Sequence, residues 1–413
     1  MNSIVKKSLL LGLSLITFGG FGLSKDVKAA PKSKLSNSKS IGLLGSVSEY
    51  LPSMKKEKKR RLTDDIIENG KEEYEYVFSV NFSPLISEVC NDLHVKYVSW
   101  VYDCPLHIRN KEPMKYSCNM IFFFDRIEAE NYRNKGVNAY HLPLAGDTVA
   151  STEKYKYVDM NMMHNEEKGI YTGFTETDMC DVSLVGKLYH SDYAYLLRPL
   201  DQYCRGYLEG VVEAQRNVYG GCFIGDCLSD SFIERINASY LALTNGEFKI
   251  LREELEYAVG TEITGRERYM ALALLQNRCN VSLFSSDKDE RLQKVVQPGY
   301  VDYYTQMPQV FKKSRINLNI SLKLIQSGVP LRVFDVLASG GFLMTNFQPE
   351  IVEMFVPGEE LVIYENMQDL VEKSIWYLEH DEERKRIASN GYEKVKNTYT
   401  FENSISYMFA KLH

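Results

Sequence analysis

This 413-residue chain has no Gly-x-Gly-x-x-Gly fingerprint, no P-loop spacing and no Cys-x-x-Cys pair. The first two absences leave the chain without the usual sequence marks of a dinucleotide site or a P-loop phosphate cradle. The third argues against a zinc site, and eight scattered cysteines do not make a compact disulfide scaffold. Such usage fits reduced, buried thiols that serve as small hydrophobes. Positive charge is not in excess either: the net charge of -6 lacks the basic footprint that nucleic-acid phosphates demand. The one basic run, Lys55 to Arg61, reads as a solvated linker or helix face.

Long apolar runs are equally scarce. Only Leu9 to Leu23 qualifies, preceded by Lys6 and Lys7 and followed by Val27-Lys28-Ala29 before Ala30. That is the pattern of a signal-peptide-like leader over 1–30, too short and glycine-rich for a membrane span. Export therefore stands as one expectation, although the cysteine usage favours a reducing compartment.

What remains is ordinary globular composition, 44% hydrophobic and 25% charged, over a length that supports two domains. Residues 31–74 read as a linker with a lead-in helix near "RLTDDIIENG" and one thin strand at "SIGLLG". The near-continuous apolar runs "YVFSVN", "VKYVSWVYD", "NMIFFFD" and "VNAYHLPL" follow, separated by helix-compatible stretches. Strands apolar on both faces belong to a parallel sheet covered by helices, so 75–178 is expected to be a first α/β domain. A loop-rich stretch around Met160–Met179 is the expected junction. A second domain, 179–413, is expected to alternate "DVSLVGKLYH", "NVSLFSS", "YVDYYT", "RINLNIS", "FLMTNF" and "ELVIYEN" with helices, around a helical insertion at about 191–277.

In open α/β sheets, ligands bind beyond the carboxyl ends of the strands. Asn81, Asp103, Asp125 and His141 each close a strand of the first half and are cleft candidates, although Asp and Asn also simply start turns. In the second half Gly186-Lys187 offers a backbone turn and a cation. The alternation of Asn317, Asn319 and Ser321 with apolar neighbours gives one polar strand face, suggesting a lined cleft. Asp287-Lys288-Asp289 has the spacing of a diphosphate-metal motif but sits in a charged, solvated turn.

"SGVPLRVFDVLASGGFLMTN", Ser327 to Asn346, reads as loop, helix and buried strand. Pro330 suits the first turn, Val333, Phe334 and Leu337 share a face, and Gly340-Gly341 ends the helix, while further on Asn366 and Asp369 stand as a cap pair before the helix "LVEKSIWYLEH". Arg332 and Asp335 share another face. They can form an intrahelical ion pair, but a first-turn cation opposes the helix dipole. Free N–H groups and Arg332 would instead favour a docked phosphate, with Asp335 one turn later accepting from a sugar hydroxyl.

The run "RINLNISLKLIQSGVPLRVFDVLASGGFLMTNF" and its continuation, with "YVFSVNFSPLISEVC", "KYVSWVYDCP", "MIFFFDR" and "DVSLVGKLY" upstream, closely resembles the spore maturation protein CgeB family of glycosyltransferase-like proteins over about residues 62–400. The resemblance implies a GT-B fold: two Rossmann-like parallel-sheet domains facing a cleft, the amino-terminal one truncated here. The nucleotide sugar, expected to be UDP-linked, would be gripped mainly by the second domain and the acceptor, a glycan or glycoprotein, by the first. No cofactor and no metal are expected. Asp335 would hold the ribose, Arg332 the diphosphate with Lys187 or Lys323, and Gly186, Asn319 and Gly328 would complete the donor site, with Glu350 nearby. Where the retaining relatives carry a glutamate eight positions before the ribose-binding acid, this chain has Ser327. Asp103 is the expected base toward an acceptor hydroxyl. Two functions follow: a glycosyltransferase, cytoplasmic by resemblance, or a non-enzymatic relative that binds glycans or assembles in a surface layer or spore coat.

Overall fold

Strands buried along their whole length are stable only between two helical layers, and both halves of this chain are built that way. The computed structural model describes residues 40–42, 59–60, 62–63, 76–108, 110–148, 180–191, 193–246 and 248–412. They form two compact units, one ending at Leu142 and the other beginning at Pro143. The leader, the junction expected around Met160–Met179 and most of the lead-in region lie outside the described residues.

The first unit is a five-stranded parallel sheet in sequential order: β1 (Ser40–Gly42), β2 (Tyr76–Val80), β3 (Lys96–Val101), β4 (Asn119–Phe123) and β5 (Ala139–His141). The thin strand expected at "SIGLLG" is β1, paired with β2 through Ser40 and Tyr76. Helix α1 (Pro84–Leu93) starts where Ser83 accepts a hydrogen bond from the Ile86 N–H, and it ends at His94 in the left-handed region, φ 55. Helix α2 (Arg126–Asn134) returns the chain from β4 to β5. Val77, Ile86, Val89, Tyr97, Ile121 and Phe123 form the core.

The second unit carries β6 (Cys180–Val185), β7 (Val281–Phe284), β8 (Ser314–Asn319), β9 (Leu343–Asn346) and β10 (Val362–Tyr364), all parallel, in the order β10-β9-β8-β6-β7. Between β6 and β7 the chain builds a helical layer: α3 (Tyr193–Leu197), α4 (Gln202–Arg216), α5 (Ile224–Cys227), α6 (Asp230–Leu243) and α7 (Arg252–Leu275). Helix α7 buries residues on more than one face because it serves two cores. Ala271, Leu272 and Leu275 pack toward the sheet. Leu255, Val259 and Ile263 pack with α4 and α6.

The remaining helices are α8 (Met307–Lys313), α9 (Leu331–Ala338), α10 (Pro349–Met354), α11 (Met367–Glu379), α12 (Asp381–Thr398) and α13 (Phe401–Ala410). Pro330 stands immediately before α9, at its N-cap position rather than inside the first turn, Gly340 turns the chain out at φ 73 as expected, and Asn366 caps α11 by accepting from the Asp369 N–H.

One expected strand is absent. "YVDYYT" forms a turn because Asp302 captures the Tyr304 and Thr305 N–H groups at 3.0 and 2.8 Å, diverting the backbone from a ladder. The polar face of β8 also differs from an open cleft lining. Asn317 and Asn319 are buried, Asn317 accepting from Ser183 at 2.8 Å and donating to the Phe311 carbonyl at 2.9 Å. All eight cysteines are free. Among the described residues no helix is long and apolar enough to cross a membrane.

Helix α12 docks through Gly391, where a Cβ would lie 2.3 Å from the Glu360 carbonyl oxygen. Gly391→Ala should therefore destabilise the protein by ~2 kcal/mol in urea melts, although alanine in an open helix gains ~1 kcal/mol. A stabilised variant would contradict this packing.

Candidate functional site

The order β10-β9-β8-β6-β7 contains one reversal: from β6 the chain runs outward to β7, then returns to β8 and proceeds the other way. Beyond the carboxyl ends of β6 and β8 is therefore the place where a parallel sheet opens a ligand crevice. Two short segments leave those ends, Gly186-Lys187 after β6 and Ile320–Lys323 after β8. The first unit, with strands in sequential order, has no such reversal among its described strands.

Helix α7 closes the floor of this crevice with residues one turn apart. At Gly260 a Cβ would strike Leu324, and at Gly265 it would meet the Leu188 and Tyr189 carbonyls at 2.8 and 2.9 Å, so small residues let the helix approach. Thr264 accepts from the Lys323 N–H at 3.0 Å. Arg268 then donates from Nη1 to the Lys187 carbonyl at 2.5 Å, and from Nε and Nη2 to the Ile320 carbonyl at 3.2 and 2.6 Å. Gly186, at φ 147, fits against Arg268: an added Cβ would lie 3.1 Å from Nη1.

Lys323 is buried and paired with buried Glu267 at 2.8 Å, its Nζ 4.0 Å from the Tyr219 ring centroid. Burial pushes the Glu267 carboxyl up, against the attraction of Lys323, and pushes the Lys323 ammonium down, against Glu267. The ammonium expected to help with a diphosphate is thus already neutralised, whereas Lys187 is exposed. Tyr364, at the end of β10, is fully buried, and its hydroxyl has no partner among the described residues.

On α9 the intrahelical ion pair expected of Arg332 and Asp335 is present. The pair forms, Nη1 to Oδ2 at 3.3 Å, with the guanidinium centre 5.2 Å from the Phe311 ring. Asp335 Oδ1 accepts from the Tyr303 hydroxyl at 2.7 Å. Burial raises the Asp335 carboxyl above the usual range, Arg332 and Tyr303 pull it back, and Asp147 adds to the rise. Ser327 and Glu350 join the loops after β8 and β9: Ser327 Oγ donates to Glu350 Oε1 at 2.7 Å and the Glu350 N–H to the Ser327 carbonyl at 3.1 Å. Gly328 is buried in the same loop. Asn319 spends its amide on Ser321 and Thr345, at 3.1 and 2.9 Å.

The Asp287/Asp289 turn is engaged by protein: Asp287 accepts from the Leu188 N–H at 2.7 Å and Asp289 pairs with Arg291 at 2.5 Å. No group of three or more His, Cys, Asp or Glu side chains gathers to hold a metal among the described residues. A concavity at the opposite ends of the strands, lined by Cys180, Asp181, Arg315 and Asp381, is a poor anion site. Its Arg315 is held by Asp181 at 3.1 Å and Asp381 at 2.9 Å.

In the first unit Asn81, in the left-handed region at φ 59, ties the ends of β2 and β3. Its side-chain Nδ2 donates to Asp103 Oδ2 at 2.7 Å, and its side-chain Oδ1 accepts from the Tyr102 and Asp103 N–H groups at 2.7 and 3.2 Å. Asp103 is exposed, yet partial desolvation by surrounding protein raises its carboxyl, against His107 and the Asn81 hydrogen bond. His141 is the half-buried last residue of β5, beside Phe123 in register. Asp125 is not open to a cleft: it is fully buried and caps α2, accepting from the Glu128 N–H at 2.9 Å.

The residues that sequence reasoning missed are Arg268, Glu267, Tyr219, Tyr303, Tyr364 and, in the first unit, Glu128. The spacing of Gly260, Thr264 and Arg268 on one face of "GTEITGRER" is a signal for the first of these.

A model of the glycosyl transferase-like family matches residues 266–410 of this chain, about a third of its length. No curated protein matches it. Solved structures of similar architecture include sucrose-phosphate synthase from Thermosynechococcus elongatus, 10% identical over 94% of this chain and 86% of that one, TM-score 0.45. Anabaena HepE in complex with UDP-glucose is 10% identical over 86% and 81%, TM-score 0.48. An α,α-trehalose-phosphate synthase from Burkholderia vietnamiensis is 11% identical over 88% and 80%, TM-score 0.41. Likeness at this level carries no argument of its own.

Glu128 offers a pH test. It is buried, accepts from the Leu106 N–H at 3.2 Å through Oε1, and its Oε2 has no partner among the described residues. Burial pushes its carboxyl up from 4.5 to about 7. A folded-state value above the unfolded one means the native state binds the extra proton. Stability should fall as pH rises from about 4.5 through about 7, then level off, an effect of at most ~3 kcal/mol. Glu128→Gln should flatten that slope in chemical melts at pH 5 and 8; an unchanged slope would show Glu128 ionised throughout.

Proposed function

We propose that this chain is a glycosyltransferase of GT-B type, related to the CgeB-like proteins, that moves a sugar from a nucleotide sugar to a glycan or glycoprotein hydroxyl without a bound metal. The observation that carries the reading is a coincidence of place. The segment matching the glycosyl transferase-like family, 266–410, contains the last turns of α7, with Arg268, and all of β8, α9 and β9, which border the β6/β8 crevice. The domain limits adopted in this reading are 75–178 for the acceptor half and 179–413 for the donor half.

In this reading Asp335 accepts from the ribose hydroxyls and Arg332 turns from Asp335 to the diphosphate. The departing nucleoside diphosphate is stabilised by fixed positive groups and oriented N–H dipoles. UDP is the nucleotide this reading expects. Toward the acceptor, Asp103 is the base: a raised carboxyl held in orientation by Asn81 takes a hydroxyl proton more readily than a free aspartate would. Ser327, at the position where the resemblance places an acid, favours the second reading, a non-enzymatic relative that binds glycans or assembles in a surface layer or spore coat.

Thermal shift and calorimetry with UDP-, GDP- and TDP-sugars test both. The transferase should gain ~2.7 kcal/mol of stability at ligand one hundred times its Kd. It should also release nucleoside diphosphate when an acceptor is supplied. No stabilisation by any nucleotide would sink the first reading and favour the second, and binding without release would refute transfer while leaving the nucleotide site. Asp335→Asn should weaken nucleotide binding ~10-fold, the loss of a charged acceptor, with the melting temperature held.

A further inference from the structure

We infer that Arg268 is the positioning residue of the nucleotide crevice: its guanidinium fixes the Gly186-Lys187 and Ile320–Lys323 segments on the two sides of the switch point, and its charge is left for a nucleoside diphosphate to neutralise. The inference rests on the reading of the second unit as a nucleotide-sugar site.

Three observations carry it. The side chain is 9% exposed and reaches the ends of two adjacent strands, donating to a carbonyl on each. Those partners are dipoles rather than charges, and Arg268 forms no ion pair among the described residues. Its sequence neighbour Glu267 is committed to Lys323. The other buried cations of this unit are balanced differently: Lys323 has Glu267, and Arg384, at the far end of the strands, has Asp381 at 2.7 Å. A buried guanidinium without a carboxylate is costly and is kept where something else supplies the negative charge.

Before a nucleotide draws Arg332 away, Arg332 and Asp335 cancel one another, and so do Lys323 and Glu267. Arg268 and exposed Lys187 are left as the net positive groups of the crevice. Gly186 leaves no Cβ between the guanidinium and the strand end, so the loop backbone lies directly against the charge. A diphosphate seated on these segments would meet a cation whose position is already set by the fold, with no reorganisation on binding.

The test titrates the full chain with UDP, uridine and inorganic pyrophosphate, for wild type, Arg268→Lys and Arg268→Gln, after a thermal melt of each. Wild type should bind UDP, pyrophosphate should compete, and uridine should bind at least ~100-fold more weakly. Arg268→Gln should lose ~30-fold or more in UDP affinity with uridine affinity unchanged, and Arg268→Lys, which keeps the charge without the fork, should recover part of it. Equal losses for UDP and uridine would reduce Arg268 to a structural brace and overturn the inference, as would unchanged UDP affinity in a folded Arg268→Gln. If that variant does not fold, the wild-type protein decides: UDP binding with which pyrophosphate does not compete refutes the role of the charge. Failure of wild type to bind any nucleoside diphosphate would instead remove the proposed function, and this inference with it.

Discussion

The second unit depends on one helix reaching two strand ends. Helix α7 must approach the β6 and β8 termini closely enough for Arg268 to donate to the Lys187 and Ile320 carbonyls, and Gly260 and Gly265 make that approach possible. Strand-end carbonyls that leave a ladder need new donors. A single guanidinium supplies three, with the planar fork that a lysine lacks. The same helix joins the core beneath the sheet to the core of the helical layer, so the geometry of the crevice is bound to the packing of the whole unit.

Charge in this unit falls into two classes. At the amino ends of the strands, Arg315 is held between two carboxylates and holds the Asp381 carboxyl down at about 2. At the carboxyl ends stand a buried pair, Lys323 with Glu267, and a half-buried one, Arg332 with Asp335, beside one cation served by carbonyls and the Tyr189 ring rather than by a carboxylate. Burial opposes the charged form at each of Glu267, Lys323, Asp335 and Arg268. Stability alone gives little reason to collect such groups at one end of a sheet. The same low-dielectric surroundings strengthen any interaction with a charged ligand.

Much of the architecture was legible in the residues. "NMIFF" and "LMTN" could only be strands covered on both faces, and both are buried throughout. Pro330 and Gly340 bounded α9, and Asn366 announced α11, because caps and turns are decided by a residue and its immediate neighbours. "YVDYYT" misled for the same local reason: its aromatic and β-branched residues favour a strand, but the Asp302 side chain offered the backbone a competing set of hydrogen bonds. Asp125 looked like a strand-end ligand and is a helix cap, the two roles sharing one position in a strand-to-helix turn.

By itself the sequence determined the parallel sheets, the boundaries of α9 and α11, and which polar residues stand at strand ends, since period, propensity and capping act over a few residues. Only the tertiary structure decided which of those residues keep a free charge. Lys323 lost its charge to Glu267, 56 positions away, and Tyr303 reached Asp335 across 32. Arg268, one helical residue among many, became the cation at the switch point because strand order, rather than sequence spacing, brings β6 and β8 together. Pairing between distant segments is set by how the sheet is wound, and no local pattern encodes it.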